Sequence, residues 1–134
     1  MKTGLYDSEL KVMDVLWKNG DATAKDIAAI LNSQLGWSKT TTYTMIKKCI
    51  DKGIIERRDP NFLCRALLTR HEAQEYETME LVEKMFDGSS DLLVASLING
   101  KKLSREQLDK LRKMINDAAA KQPESLTSES RVSE

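Results

Sequence analysis

Long apolar runs are absent from this chain of 134 residues. No stretch approaches the ~18–20 residues that a bilayer-spanning helix needs, so no membrane partner is expected. The opening Met1-Lys2-Thr3-Gly4-Leu5-Tyr6-Asp7 has no apolar core of a signal peptide, and the cytoplasm is the expected compartment. Cysteine is scarce: Cys49 and Cys64 are too few for a disulfide framework. Histidine is scarcer still. His71 alone cannot build a Ser/His/Asp set, and His71-Glu72 opens like a zincin helix without its second histidine. No P-loop, GxGxxG or GxSxG segment occurs, so neither an enzyme nor a cofactor or metal site is expected. Net charge is missing too, with 21 Lys plus Arg against 21 Asp plus Glu. That balance excludes a uniformly basic nucleic-acid coat and an acidic disordered protein.

The balance conceals an asymmetry. Residues 1–68 hold eleven basic and eight acidic side chains, whereas residues 69–134 hold ten and thirteen. Between Trp37 and Arg65 the excess is sharper: Lys39, Lys47, Lys48, Lys52, Arg57, Arg58 and Arg65 face only Asp51, Glu56 and Asp59. A local basic patch on a neutral protein suits a small anionic contact surface such as DNA, and it also suits an ordinary solvated face.

Capping and periodicity divide the first half into three helices and a hairpin. A first helix is expected from about Ser8 to Lys18, capped by Asp7 or Ser8 and stopped by Asn19-Gly20, with Leu10, Met13, Leu16 and Trp17 inward. Thr23 caps a second, whose buried side is Ile27, Ala28 and Leu31. Ser38 opens a third that ends at Lys52, because Gly53 suits the left-handed position beyond a helix end. Met45, Ile46, Cys49 and Ile50 form its inward stripe. Three consecutive threonines, Thr40 to Thr42, are poor helix formers, so something other than helix propensity placed them. Strand-like 54–58 and 62–67 flank the turn Asp59-Pro60-Asn61. Three helices and a hairpin in under 70 residues, with a basic third helix, make a winged helix-turn-helix.

The second half reads as helical throughout. Thr69-Arg70-His71-Glu72 is a capping box for a helix to about Phe86, Asp91 to Ile98 is short and strongly apolar, and Ser104-Arg105-Glu106-Gln107 opens a last helix to about Lys121. Three such helices make a thin layer without a sealed core. A second copy offering the same surface would cover it, with Tyr76, Met79, Leu92, Leu93, Leu97, Leu108, Leu111 and Ile115 at the contact. Packing under the first half in a compact monomer is the other solution. The expected organisation is therefore mainly α: a winged-helix DNA-binding domain over 1–68, a helical dimerisation domain over 69–121 and a disordered tail over 122–134.

A helix fits the major groove of B-DNA, with its N-terminal half reaching base edges. Thr40, Thr41 and Thr44 each offer a hydroxyl and a methyl, and Tyr43 a hydroxyl or a packing surface, so these four are the base-contact candidates. Ser38, Lys39, Lys47, Lys48, Arg57 and Arg58 are the phosphate candidates. The competing reading is a winged-helix protein–protein interaction module without sequence-specific DNA binding. For Cys49 and Cys64, burial as small apolar residues competes with a thiol switch.

Four segments carry a resemblance: Leu10-Lys11-Val12-Met13-Asp14-Val15-Leu16-Trp17, Ala22-Thr23-Ala24-Lys25-Asp26-Ile27, Trp37-Ser38-Lys39-Thr40-Thr41-Thr42-Tyr43-Thr44 and Lys52-Gly53-Ile54-Ile55. In this order, together with Leu92-Leu93-Val94 and the run from Leu103 to Leu111, they resemble the penicillinase-repressor family (BlaI/MecI/CopY). The resemblance implies a homodimeric winged-helix repressor on a double-stranded inverted-repeat operator, with Thr41, Tyr43 and Thr44 at recognition-helix positions. It also implies two possible means of relief. The copper-responsive branch carries a C-terminal cysteine-rich metal site, and this chain has no cysteine after Cys64. The β-lactam branch is cut by a sensor protease at an Asn-Phe bond, and Ser96-Leu97 occupies that place here.

Overall fold

The structure, a computed structural model, describes residues 4–122. Helix α1 (Asp7–Asn19) starts one residue earlier than expected, because Glu9 in its first turn accepts the Tyr6 N–H at 2.9 Å and Tyr6 becomes the cap. Its inward face is Val12, Met13, Val15 and Leu16, whereas Leu10 is exposed. Strand β1 (Ala22–Thr23) leads directly into α2 (Ala24–Leu35), where Thr23 accepts the Asp26 N–H at 3.1 Å as its cap. Gly36, in the left-handed region at φ +72°, closes α2, and Asn32 donates to the Trp37 carbonyl to shape the turn into α3 (Lys39–Asp51). These helices are the helix-turn-helix.

Strands β2 (Ile55–Arg58) and β3 (Leu63–Ala66) form the wing, with Arg57 opposite Cys64 and Arg58 opposite Leu63. The sequence did not announce β1. It pairs antiparallel with β3, Ala22 opposite Cys64 and Thr23 opposite Leu63, which gives a sheet ordered β1-β3-β2. Three helices and this sheet enclose one core built on Val12, Met13, Leu16, Ile27, Leu31, Ile46, Cys49, Ile54, Ile55 and Cys64.

Helix α4 (Arg70–Met85), capped by Thr69 as expected, belongs with this body. Ala73 enters the core, the Trp17 indole N–H donates to the Leu68 carbonyl at 2.9 Å, and Arg70 pairs with Asp14 at 2.9 Å. Compact units therefore divide after Gly88, one helix later than the boundary at residue 68 read from the sequence. The second unit holds α5 (Ser90–Asn99) and α6 (Arg105–Lys121), the latter capped by Ser104. Neither helix has a fully buried residue. The expected tail, apart from Gln122, lies outside the described residues.

Candidate nucleic-acid interface

Helix α3 has two chemically distinct sides. Ile46 and Cys49 are sealed in the core, and Thr42 is sealed with them, its Oγ1 buried without a hydrogen-bond partner. Thr40, Thr41 and Thr44 are exposed, with Lys39, Lys47 and Lys48 exposed around them. Lys39, Thr40, Tyr43, Thr44 and Lys47 together line a shallow hollow of about 390 Å³. Two hydroxyls and the ring of Tyr43 thus meet two ammonium groups on one helical face. Ser38 serves the fold first: its Oγ accepts the Thr41 N–H at 3.1 Å and donates to Thr41 Oγ1 at 3.0 Å. The cap takes the Thr41 amide and leaves those of Lys39 and Thr40 for a phosphate beside the lysines.

Tyr43 is half-buried rather than projecting freely. Its ring meets Phe62 edge-on, with centroids 5.8 Å apart and planes at 89°. The Lys39 ammonium lies 5.6 Å from the Tyr43 ring centre, and the Arg57 guanidinium lies 3.6 Å from that of Phe62. Along the sequence Phe62 is marked only as a strand position. Nothing in its neighbourhood along the chain signals that it spans from wing to helix.

The wing arginines are exposed but engaged. Arg57 Nε donates to Asp59 at 3.0 Å and Arg58 Nε to Glu56 at 3.0 Å. Pairs this exposed contribute little to stability, so a phosphate can replace the carboxylate at small cost. Lys52, by contrast, leaves the basic patch altogether. It turns inward to Glu9, itself buried, and donates to the Gly4 carbonyl at 2.7 Å. A buried carboxylate needs such a partner. The ammonium also sits 4.9 Å from the Tyr6 ring centre.

Both cysteines are fully buried free thiols. Burial pushes the Cys49 thiol up to about 12, with the Glu9 charge adding to the effect, and the Cys64 thiol up to about 11. Thiols so protonated and enclosed are poor nucleophiles at neutral pH, which favours the packing role over a switch. Elsewhere, a hydrogen bond from Lys18, joined by Arg70, holds the Asp14 carboxyl below its usual range against an opposing effect of burial. Among the described residues no cluster of three or more His, Cys, Asp or Glu is placed to hold a metal, and no helix is long and apolar enough to cross a membrane.

The expected subunit-contact residues fall in both compact units. On α4, Met79 is exposed, while Tyr76 is half-buried beside Gly4, where an added Cβ would stand 3.3 Å from the ring. In the second unit Leu92, Leu97 and Ile115 are exposed and Leu93, Leu108 and Leu111 half-buried. Val94, Ile98, Leu108, Leu111 and Ile115 line an apolar hollow of about 280 Å³ between α5 and α6. Ser96 and Leu97 are exposed on α5 and their shared peptide bond is helical.

Comparison with known proteins bears on this arrangement. Residues 5–117 match the family model described as Penicillinase repressor. The methicillin resistance regulatory protein MecI of Staphylococcus aureus (strain N315) is 26% identical over 114 residues, covering 84% of this chain and 93% of that protein. The penicillinase repressor of Bacillus licheniformis is 22% identical over 115 residues, covering 84% of this chain and 90% of its own. Among solved structures, the solution structure of the DNA binding domain of the repressor BlaI is similar, with a TM-score of 0.48 and 26% identity over 51% of this chain and 85% of that one. The family match spans the helix-turn-helix, the wing and the helices that follow, and so the chain belongs to the penicillinase repressor family.

Proposed function

We propose that the chain is a homodimeric transcriptional repressor that binds an inverted-repeat operator in double-stranded DNA. Each copy lays α3 in a major groove, with Thr40, Thr41, Tyr43 and Thr44 toward the bases. Ser38, Lys39, Lys47 and Lys48 hold the backbone beside them, and Arg57 and Arg58 reach flanking phosphates. The observation that carries this reading is the hydroxyl ridge on α3: Thr40, Thr41 and Thr44 stand exposed among lysines, while Thr42, Ile46 and Cys49 on its other side are sealed in the core. Hydroxyl and methyl groups read base edges, while ammonium and guanidinium groups supply affinity and its salt dependence. An interaction module would present apolar side chains at those positions.

The dimer reading rests on the second unit, where Leu92, Leu97, Ile98 and Ile115 remain 42–56% exposed in a single copy. An isologous contact through α4 to α6 covers such a surface and sets two third helices about one turn of DNA, ~34–36 Å, apart. For relief of repression we place a sensor-protease cut at Ser96-Leu97. In a single copy both residues are exposed, and α5 has no fully buried residue to resist the local opening that cleavage of a helical bond requires. A gel shift with the promoter duplex upstream of the chain's own gene, at two salt concentrations, tests the core of the proposal beside sedimentation of the free protein. A dimer that prefers that duplex over random DNA is the expected result. A monomer at micromolar concentration with no preference overturns it.

A further inference from the structure

We infer that Phe62 is a positioning residue for DNA recognition, locking the wing to the third helix so that the two engage the duplex as one rigid unit. This inference rests on the operator-binding reading above. Three independent contacts meet at this residue. Its ring receives the Tyr43 ring edge-on at 5.8 Å, from the helix side. The same ring carries the Arg57 guanidinium at 3.6 Å, from the wing side. Its carbonyl accepts the Ala24 N–H at 3.0 Å, satisfying a first-turn donor of α2 that the Thr23 cap leaves open.

Phe62 holds this place in the left-handed backbone region, at φ +53°. A bulky aromatic side chain is uncommon there, and surrounding contacts must over-determine it. A turn designed only to reverse the chain would carry glycine or asparagine at such a position. The aromatic ring is what the bridge needs. Lys39 near Tyr43 and Arg57 over Phe62 then place one cation on each ring of this edge-to-face pair. Arg57 is a flexible side chain on an exposed strand. Stacked on Phe62, it is held on the wing beside the α3 ridge even when a phosphate takes the place of Asp59. Backbone contacts set the register in which side chains meet base edges, so a loosened wing reduces discrimination as well as affinity.

The test is a set of binding titrations on a duplex that the wild-type chain selects from a random-sequence pool, compared with an unselected duplex. Variants are Phe62→Leu, Phe62→Tyr and Tyr43→Leu, each with and without Arg57→Ala, and circular dichroism records the folded fraction. Wild type and Phe62→Tyr are expected to show the same several-fold loss on Arg57→Ala. In the Phe62→Leu background that loss should shrink, and the preference for the selected duplex should narrow. A purely structural role lowers the active fraction equally on both duplexes and leaves the Arg57 effect intact. Should Phe62→Leu fail to fold, Tyr43→Leu breaks the bridge from the other side and must shrink the Arg57 effect likewise. An unchanged Arg57 effect in a folded bridge variant overturns the inference alone. Failure of the wild type to select any duplex overturns the operator reading beneath it.

Discussion

Lys52 offers the sharpest test of how charge is divided in this protein. Along the sequence it stands in the basic stretch with Lys47 and Lys48; in space its side chain is 16% exposed and bound to Glu9, whose side chain is 4% exposed. Replacing it by methionine keeps the stem and removes the charge. Glu9 is then left buried with the Tyr6 N–H as its remaining partner. Breaking a buried pair from one side costs about 3–5 kcal/mol, against a total domain stability of about 5–15 kcal/mol. Lys52→Met should therefore lower the urea midpoint steeply, while the double variant Glu9→Gln/Lys52→Met should recover most of the loss. DNA binding reads the other half. Lys47→Met and Lys48→Met should each flatten the dependence of log K on log salt by about 0.9, the release expected for one phosphate contact. The double variant, folded and lacking Lys52, should keep the wild-type slope. A stable Lys52→Met protein with a flattened slope would refute the division of charges described here.

Thr44→Ala should narrow the gap between operator and random duplex by about 1–3 kcal/mol, whereas Arg57→Ala should weaken binding to both and flatten the salt slope by about 0.9; fluorescence anisotropy at several salt concentrations separates the two. Thr42→Val removes a buried hydroxyl without a partner, so thermal unfolding should show a gain of up to about 1 kcal/mol, and a loss would mean that the hydroxyl is satisfied in solution. The two thiols make stability fall in alkali. Their folded values lie above the ordinary thiol range, near 12 for Cys49 and 11 for Cys64, so their contribution is present below about pH 9 and lost as pH rises through that window. At pH 10 the loss should be about 1 kcal/mol for each thiol, and Cys49→Ala should show a shallower alkaline decline in chemical denaturation. A thiol reagent should label the native protein slowly at pH 7.5 and the unfolded protein fast.

Local signals made most of the fold legible. Thr23, Ser38, Thr69 and Ser104 each cap the helix that their side chains announced. Capping is local chemistry, satisfied by residues three positions apart. What escaped depends on partners distant in sequence. Strand β1 is only Ala22–Thr23 and exists because β3 lies beside it. Nothing along the chain says that Lys52 turns inward to Glu9, 43 positions away. Helical spacing alone keeps Thr42 out of the base-contact set, and the helical turn sends it into the core and its neighbours outward. Leu10 fits the inward spacing of α1 yet is exposed, because Val12 and Val15 take the core side. The bridge that Phe62 makes between a turn and a helix leaves no periodic mark in the sequence. The boundary after Gly88 follows from α4 joining the first unit through Arg70 to Asp14 and Ala73 in the core, with the Trp17 bond to Leu68 just ahead of it, contacts between residues distant in sequence.

Dimethyl sulfate reads both grooves of a duplex at once, methylating guanine N7 in the major groove and adenine N3 in the minor. A footprint of the bound protein is therefore the most direct trial of the third helix as the reading element. Guanine N7 positions in both half-sites should be protected, and at a subset of them Thr44→Ala should restore methylation while the complex persists. Protection confined to adenine N3, or half-site guanines as reactive in the complex as in free DNA, would contradict the account.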